Sequence, residues 1–223
     1  MLYLDTANLD QIKRAEEIGI IQGVTTNPTI LLKESQQREE IIKAILAVTN
    51  GTVFVQTVGT TDKDILSDAR HILAAFQDER IALKIPAHLE GIKAMKRMKS
   101  EQSDVAILAT AIYSTEQNVL AAIAGADYVA PYINRMQNNR IDAYEVIAET
   151  RKIYDEQQLA TKILAASFKN TGQIIQTLCA GAHTVTIPYD LLTSMANKEL
   201  ALGAIQQFNK DAATLTSKGD QNE

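Results

Sequence analysis

The stretch IALKIP at residues 81–86 has the composition of a short buried β-strand, because it is apolar, partly β-branched and ends in proline. Side chains alternate across a strand, so Lys84 lies on the same side as Ala82 and not on an obvious solvated face. A buried, unpaired ammonium tends to lose its proton, and the neutral amine is a nucleophile toward carbonyl carbons. Lys84 is therefore a candidate for Schiff-base chemistry. The alternative is an ordinary lysine that reaches solvent or pairs with a carboxylate.

Similar short runs alternate with helical patterns along almost the whole chain. The predicted strands are Leu2–Asp5, Ile21–Thr25, Thr52–Gln56, Ile81–Pro86, Val105–Thr110, Tyr128–Tyr132, Lys162–Ala166 and Thr184–Ile187. Eight strands, each followed by a helix, predict an α/β protein with a single parallel (β/α)8 TIM barrel. An open doubly wound sheet is the alternative, but residues 5–8 (DTAN) have none of the glycines that such a fold favours after its first strand.

The predicted helix starts carry recognisable caps. Asn27, Thr61 and Asn170 stand where a side-chain oxygen would accept from the first turn, and residues 114–117 (STEQ) read as a capping box. After the eighth unit, residues 197–213 form an extra C-terminal helix with an apolar stripe at Ala201, Ala204, Ile205, Phe208 and Ala212. We expect one domain over residues 1–213, including this helix, and a frayed tail over residues 214–223.

Composition excludes several classes of function. The net charge of −5 gives no reason to expect a nucleic-acid partner. The chain opens directly into a strand and has no long apolar run, so we expect neither a signal peptide nor a membrane span. The single cysteine, Cys179, excludes an internal disulfide, suits the cytoplasm and is expected to be buried. The three histidines are scattered, so we expect no bound metal, and no cofactor is called for.

Polar residues stand at the ends of seven predicted strands, where TIM barrels carry their reactive groups. They are Asp5, Thr25 to Asn27, Gln56, Lys84, Thr110, Tyr132 with Arg135, and Ser167 with Lys169. The eighth strand ends at Pro188 and offers none. Each has an ordinary structural explanation when taken alone, such as a cap or a turn. Together around a strand lysine they favour an active site.

The chemistry of such a site is specific. A ketose carbonyl condenses with Lys84 to an iminium, which accepts electrons when the adjacent carbon–carbon bond breaks. Asp5 is the nearest carboxylate that could serve as the base. Water could be held by Gln56, Thr110 and Tyr132. Charge and donors for a phosphate are offered by Arg135, Ser167 and Lys169.

Four motifs in chain order resemble those of the small bacterial transaldolase family. They are VTTNP at 24–28, LKIP at 83–86, APYINR at 130–135 and AASFK at 165–169. The resemblance extends from Leu2 to about Ala213. It implies a Schiff-base lysine at Lys84 and an acid/base role for Asp5. It further implies substrate contacts at Thr26, Asn27 and Ala130, and phosphate contacts at Arg135, Ser167 and Lys169.

Two positions separate the activities within this family. Transaldolases usually carry glutamate after the third strand and phenylalanine at the sixth, where this chain has Gln56 and Tyr132. Both departures resemble the fructose-6-phosphate aldolase branch, so the predicted reaction is cleavage of fructose 6-phosphate to dihydroxyacetone and glyceraldehyde 3-phosphate. The alternatives are a transaldolase that moves the dihydroxyacetone unit between sugar phosphates, and a barrel that only binds sugar phosphates. The resemblance also implies a ring-based homo-oligomer, with a decamer as one form.

Overall fold

The barrel is closed and entirely parallel. The computed structural model describes residues 2–219, with side chains through residue 215. Each strand pairs with the next, and the last pairs with the first. The strands are β1 (Leu2–Asp5), β2 (Ile21–Thr25), β3 (Thr52–Gln56), β4 (Ile81–Pro86), β5 (Ile107–Ile112), β6 (Tyr128–Pro131), β7 (Lys162–Ala165) and β8 (Thr184–Ile187). The predicted (β/α)8 TIM barrel is confirmed.

Helices lie between the strands and after the last one. They are α1 (Leu9–Ile18), α2 (Pro28–Leu31), α3 (Arg38–Leu46), α4 (Asp62–Phe76), α5 (Leu89–Glu101), α6 (Thr115–Ile123), α7 (Ile133–Asn138), α8 (Ala143–Glu156), α9 (Thr171–Cys179), α10 (Tyr189–Ala196) and α11 (Glu199–Gly219). The predicted caps form, because the side chains of Asn27, Thr61 and Asn170 each accept a backbone N–H of the following turn.

The prediction differs from the structure around β5 and β6. The fifth strand begins at Ile107 and runs on to Ile112, with a shift of register against β6 and a left-handed φ of 57° at Ala111. The sixth strand ends at Pro131, so Tyr132 caps α7, a helix that the sequence pattern did not indicate. Tyr132 still donates its N–H to the Ile112 carbonyl and forms an isolated parallel β-bridge with Ala166. The polar end of the sheet is therefore built from irregular backbone.

The chain divides into two compact units, Met1–Tyr189 and Asp190–Glu223, whereas the prediction has one domain over residues 1–213. In the second unit α11 continues to Gly219, so residues 214–219 of the predicted tail are helical, and residues 220–223 lie outside the described residues. Large apolar side chains on α11 are exposed, namely Leu200, Leu202, Ile205, Phe208 and Leu215.

Cys179 is exposed on α9, so the expectation that it is buried is wrong. The apolar run in this helix contains consecutive residues, and a helix packed on one side can bury only one stripe of them. Ile174 takes the buried position, while Ile175 and Leu178 are exposed beside Cys179.

Within residues 2–219, no helix is long and apolar enough to cross a membrane. The same residues contain no cluster of three or more His, Cys, Asp or Glu side chains that could hold a metal ion.

An apolar floor fills the interior of the barrel. We use this name for the buried side chains of Tyr3, Phe54, Ala82, Leu108, Ala130, Leu164 and Ala166. The Phe54 ring makes edge-to-face contacts with the rings of Tyr3 and Tyr128, at centroid distances of 5.5 Å and 5.7 Å. Among the described residues, rings packed in this way fill the centre of the barrel, so a ligand would approach from its polar end.

Candidate active site

The polar residues predicted from the strand ends stand one layer above the apolar floor. Alternate residues of a strand face the same side, so each points into the barrel two positions after a floor residue. The pairs, floor residue first, are Tyr3 and Asp5, Phe54 and Gln56, Ala82 and Lys84, Leu108 and Thr110, and Ala130 and Tyr132. The structure therefore brings the predicted catalytic residues to one mouth. Ala130 itself lies in the floor with its side chain fully buried.

Lys84 is buried at the centre of this layer, with 3% of its surface exposed. Its Nζ donates to the carbonyl oxygen of Thr26 at 3.1 Å. Among the described residues, none of the ion pairs within 4.0 Å involves Lys84. Gln56 is its register partner on β3, so the two side chains lie on the same side of neighbouring strands. The described residues therefore give the amine a neutral hydrogen-bond acceptor and no carboxylate oxygen within 4.0 Å.

Asp5 has a carboxyl group whose pKa is raised, chiefly because burial disfavours its charged form. The nearby charge of Lys84 and a hydrogen bond from Thr25 act in the opposite direction. Thr25 donates its hydroxyl to Asp5 Oδ1 at 2.8 Å and lies 2.7 Å from the hydroxyl of Thr186. Because the Thr25 proton is directed at Asp5, Thr186 is the donor in that second contact. A carboxyl group with a raised pKa beside an amine suits proton transfer.

Thr186 corrects the expectation that the eighth strand offers nothing. It lies on β8 with 1% exposure and completes the hydroxyl chain that reaches Asp5. The signal was present in the alternation of β8, where Thr184 and Thr186 share one side of the strand and Val185 and Ile187 share the other.

Thr26 and Asn27 fix the backbone between β2 and α2. The Thr26 hydroxyl donates to the Phe54 carbonyl at 2.8 Å, and Asn27 Oδ1 accepts from Ile30 N at 3.0 Å. These contacts aim the Thr26 carbonyl at Lys84. Their predicted role as substrate contacts stays a prediction.

Thr110 and Tyr132 form a hydrogen-bonded pair on adjacent strand ends. The Thr110 hydroxyl lies 2.8 Å from the Tyr132 phenol, and either oxygen can be the donor. Two hydroxyl groups in this arrangement can share one water molecule between them. Two of the three residues that are predicted to hold water, Thr110 and Tyr132, are thus brought together.

The predicted phosphate residues stand on two segments joined through their backbone. Arg135 lies exposed on α7, while Ser167 and Lys169 follow β7. Asn134 N donates to the Ser167 carbonyl at 2.8 Å, and Ser167 adopts a left-handed φ of 65°, which is costly for a residue other than glycine. Gln173 ties the same segments, because it accepts from Lys169 N at 2.8 Å and donates to Asn134 Oδ1 at 3.2 Å. Two cations and a hydroxyl therefore flank one side of the mouth.

Two residues of this side were missed. Tyr113 follows β5 and packs edge-on against Tyr132 with ring centroids 5.7 Å apart. Gln117 was assigned to a capping box, but only half of the box forms, with Gln117 N donating to Ser114 Oγ at 3.4 Å. The Gln117 side chain instead accepts from Tyr113 N and donates to the carbonyl of Ala87, each at 2.9 Å. A local motif could not reveal this bond, because Ala87 is far away in sequence.

Two cavities lie apart from this mouth. One of about 470 Å³ includes Tyr128 and Lys162 at the starts of β6 and β7. The other, of about 480 Å³, lies between α5 and α6 and includes Leu120 and Ile123. None of the predicted site residues lines either cavity.

A TIM barrel with a buried lysine, an adjacent acid and a cationic rim has the composition of a Schiff-base site for anionic carbonyl compounds. The family model described as Transaldolase/Fructose-6-phosphate aldolase matches residues 2–222. The chain belongs to this family, and is an enzyme of the aldolase/transaldolase type.

Relatives with similar sequences have similar lengths. A probable transaldolase of Clostridium kluyveri is 34% identical over 217 residues, covering 97% of this chain and 99% of the relative. A probable transaldolase of Desulforudis audaxviator is 32% identical over 217 residues, which again cover 97% of this chain and 99% of the relative. One of Streptococcus pyogenes serotype M2 is 34% identical over 212 residues, covering 95% of this chain and 97% of the relative.

Proposed function

We propose that the chain breaks and forms a carbon–carbon bond of a ketose phosphate through an imine at Lys84. The observation that carries the proposal is the Lys84 amine, buried in the mouth and held by the Thr26 carbonyl at 3.1 Å rather than by a carboxylate. An amine kept free of an ion pair can attack a carbonyl carbon once it is neutral.

The reaction then needs the following proton transfers. The Lys84 nitrogen adds to the ketose carbonyl, and loss of water leaves an iminium at C2. Asp5, through its carboxylate, takes the proton of the C4 hydroxyl, the C3–C4 bond breaks, and an aldehyde leaves. The bonding electrons pass to the iminium and form an enamine on C3. The raised pKa of Asp5 suits a base that must return this proton later.

Two fates are open to the enamine. In transfer, its C3 attacks the carbonyl of an incoming aldose phosphate, as a transaldolase requires. The names of the similar proteins, each called a probable transaldolase, support this fate. It is therefore the first candidate function.

In release, C3 is protonated and water hydrolyses the imine, which frees dihydroxyacetone. The second candidate is thus a fructose-6-phosphate aldolase. It is supported by Gln56, which cannot take up a proton as a glutamate can, and by the Tyr132 phenol, hydrogen-bonded to Thr110 at 2.8 Å. Such a phenol adds a donor near the carbon that must be protonated.

Trapping tests the shared chemistry. Fructose 6-phosphate and borohydride are expected to add the mass of the reduced three-carbon adduct to the wild type and to leave Lys84→Ala unlabelled. Lys162→Ala is the matched control, since this lysine is exposed at the start of β7, and it is expected to label normally. An unlabelled wild type would leave only sugar-phosphate binding. Products formed with and without erythrose 4-phosphate then separate transfer from release.

A further inference from the structure

We infer that Tyr113 is a positioning residue that holds Arg135 ready for the phosphate of the substrate. The inference rests on the proposed function and on the predicted contact between Arg135 and the phosphate of the substrate. Tyr113 would not touch the reacting carbons, and would act through the guanidinium and through Tyr132.

The guanidinium of Arg135 rests on two tyrosines. Its central carbon lies 5.0 Å from the centroid of the Tyr132 ring, and its Nη1 donates to the Tyr113 hydroxyl at 3.4 Å. The rings of Tyr113 and Tyr132 meet at 74°, in an edge-to-face contact. An exposed arginine is thereby kept on one side of the mouth. Apart from the bond to Tyr113, its guanidinium N–H groups have no hydrogen-bond partner among the described residues, so they can take a bidentate ligand.

Holding the arginine has a consequence for binding. An unrestrained arginine must give up side-chain freedom when it clamps a phosphate, and this loss weakens binding. A contact on the ring face and one on the hydroxyl remove part of that freedom beforehand. The hydroxyl of Tyr113 should therefore affect affinity for phosphate far more than it affects the chemical step.

Tyr113 is itself fixed to the strand that carries Lys84. Its N–H donates to the Gln117 side chain, which in turn donates to the carbonyl of Ala87, just beyond β4. Ala111, two residues earlier, adopts a left-handed φ, which is costly for a residue other than glycine. The distance between the amine and the phosphate-binding arginine is thus set through a short, hydrogen-bonded path.

The test compares Tyr113→Phe with wild type, because this variant keeps the ring and removes only the hydroxyl. Affinity for inorganic phosphate is measured by calorimetry, and KM is measured for addition of dihydroxyacetone to glyceraldehyde 3-phosphate and to glyceraldehyde. We expect phosphate affinity to fall about three- to tenfold, and KM for the phosphorylated aldehyde to rise by a similar factor, as for loss of one long hydrogen bond to a charged group. The KM for glyceraldehyde and the kcat values should stay within about twofold.

Tyr128→Phe is the control, since it removes a phenol hydroxyl at the opposite end of the barrel and should change none of these values. Tyr113→Leu also removes the ring that packs on Tyr132, so kcat should fall as well. The inference would be overturned if Tyr113→Phe bound phosphate with wild-type affinity, or if its KM rose equally for glyceraldehyde 3-phosphate and for glyceraldehyde.

The two proposals can fail separately. If Arg135→Ala weakens phosphate binding and the borohydride adduct forms, but Tyr113→Phe binds phosphate normally, only the role of Tyr113 is wrong. If no adduct forms on the wild type and phosphate affinity still falls in Tyr113→Phe, the positioning role stands and the proposed reaction is wrong.

Discussion

Asp5 is the residue whose chemistry depends most on its surroundings. Burial raises its pKa, and the hydrogen bond from Thr25 lowers it again in part. A base must be deprotonated to act, so activity should decline as pH falls through this raised pKa. The acid limb of the kcat profile is therefore expected above pH 3.8, the ordinary value for the group.

Thr25→Val removes the donor that favours the Asp5 carboxylate. The pKa of Asp5 should rise further, because a hydrogen bond that favours its charged form is lost, and the acid limb should move to higher pH. Thr177→Val is the matched control, because Thr177 is a buried threonine whose hydroxyl has no hydrogen-bond partner among the described residues. An acid limb that stays in place in Thr25→Val would show that Asp5 is not the group that titrates.

Tyr132 is the residue at which transfer and release can be separated. Its phenol is paired with Thr110 and could protonate the enamine, which ends the adduct. In Tyr132→Phe we expect slower release of dihydroxyacetone and a longer-lived adduct, whereas transfer to erythrose 4-phosphate should suffer less. The measurement is the ratio of dihydroxyacetone released to sugar transferred, with Tyr128→Phe as the control. An unchanged ratio would leave Gln56 as the only residue that favours release.

Among the elements, helix α6 connects the segments that follow β4 and β5 through the side chain of Gln117. Gln117→Leu leaves the N–H of Tyr113 and the carbonyl of Ala87 without this partner. We expect the free energy of unfolding to fall by about 1–3 kcal/mol, the cost of leaving partly buried polar groups unsatisfied. Urea unfolding measures the change.

The matched control for Gln117→Leu is Gln176→Leu, at an exposed position of α9. An exposed substitution of this kind should change stability by no more than about 0.5 kcal/mol. Equal effects of the two variants would contradict a bridging role for Gln117.

The elements also explain how far the sequence alone leads. The alternation of strands and the caps at Asn27, Thr61 and Asn170 are local properties, so the fold and most strand ends were predicted from them. The contacts of Gln117 and Thr186 were missed because they depend on which strands are neighbours and in what register. The strand pattern indicated that Lys84 is buried. Its hydrogen bond to the Thr26 carbonyl, between β2 and α2, was not predicted, because it also depends on which strands are neighbours.

On the scale of the whole molecule, helix α11 has an exposed apolar face for which the barrel fold gives no reason. Leu202, Ile205 and Phe208 are exposed on it, and a helix face of this kind is stabilised when another apolar surface covers it. We propose that a neighbouring copy of the chain does so, in the ring-based assembly that the family resemblance implies. Deleting the chain from Asn197 onward should therefore lower the mass of the assembly before it unfolds the barrel.

Sedimentation measures that mass, and circular dichroism measures the melting of the barrel. Gln206→Ala on the same helix is the control and should leave the mass unchanged. A truncated chain that keeps its full assembly would contradict the proposal. The variant Phe208→Ser should weaken the assembly and leave the helical content unchanged.

The apolar floor has a kinetic consequence. In the part of the chain that the structure describes, Tyr3, Phe54 and Tyr128 pack together across the interior of the barrel, and Lys84 lies beside the polar opening above them. Through it the first aldehyde must depart before an acceptor can take its place, since both would occupy the same space above the lysine. Transfer in this protein would then follow a ping-pong order, in which two aldehydes compete for one form of the enzyme.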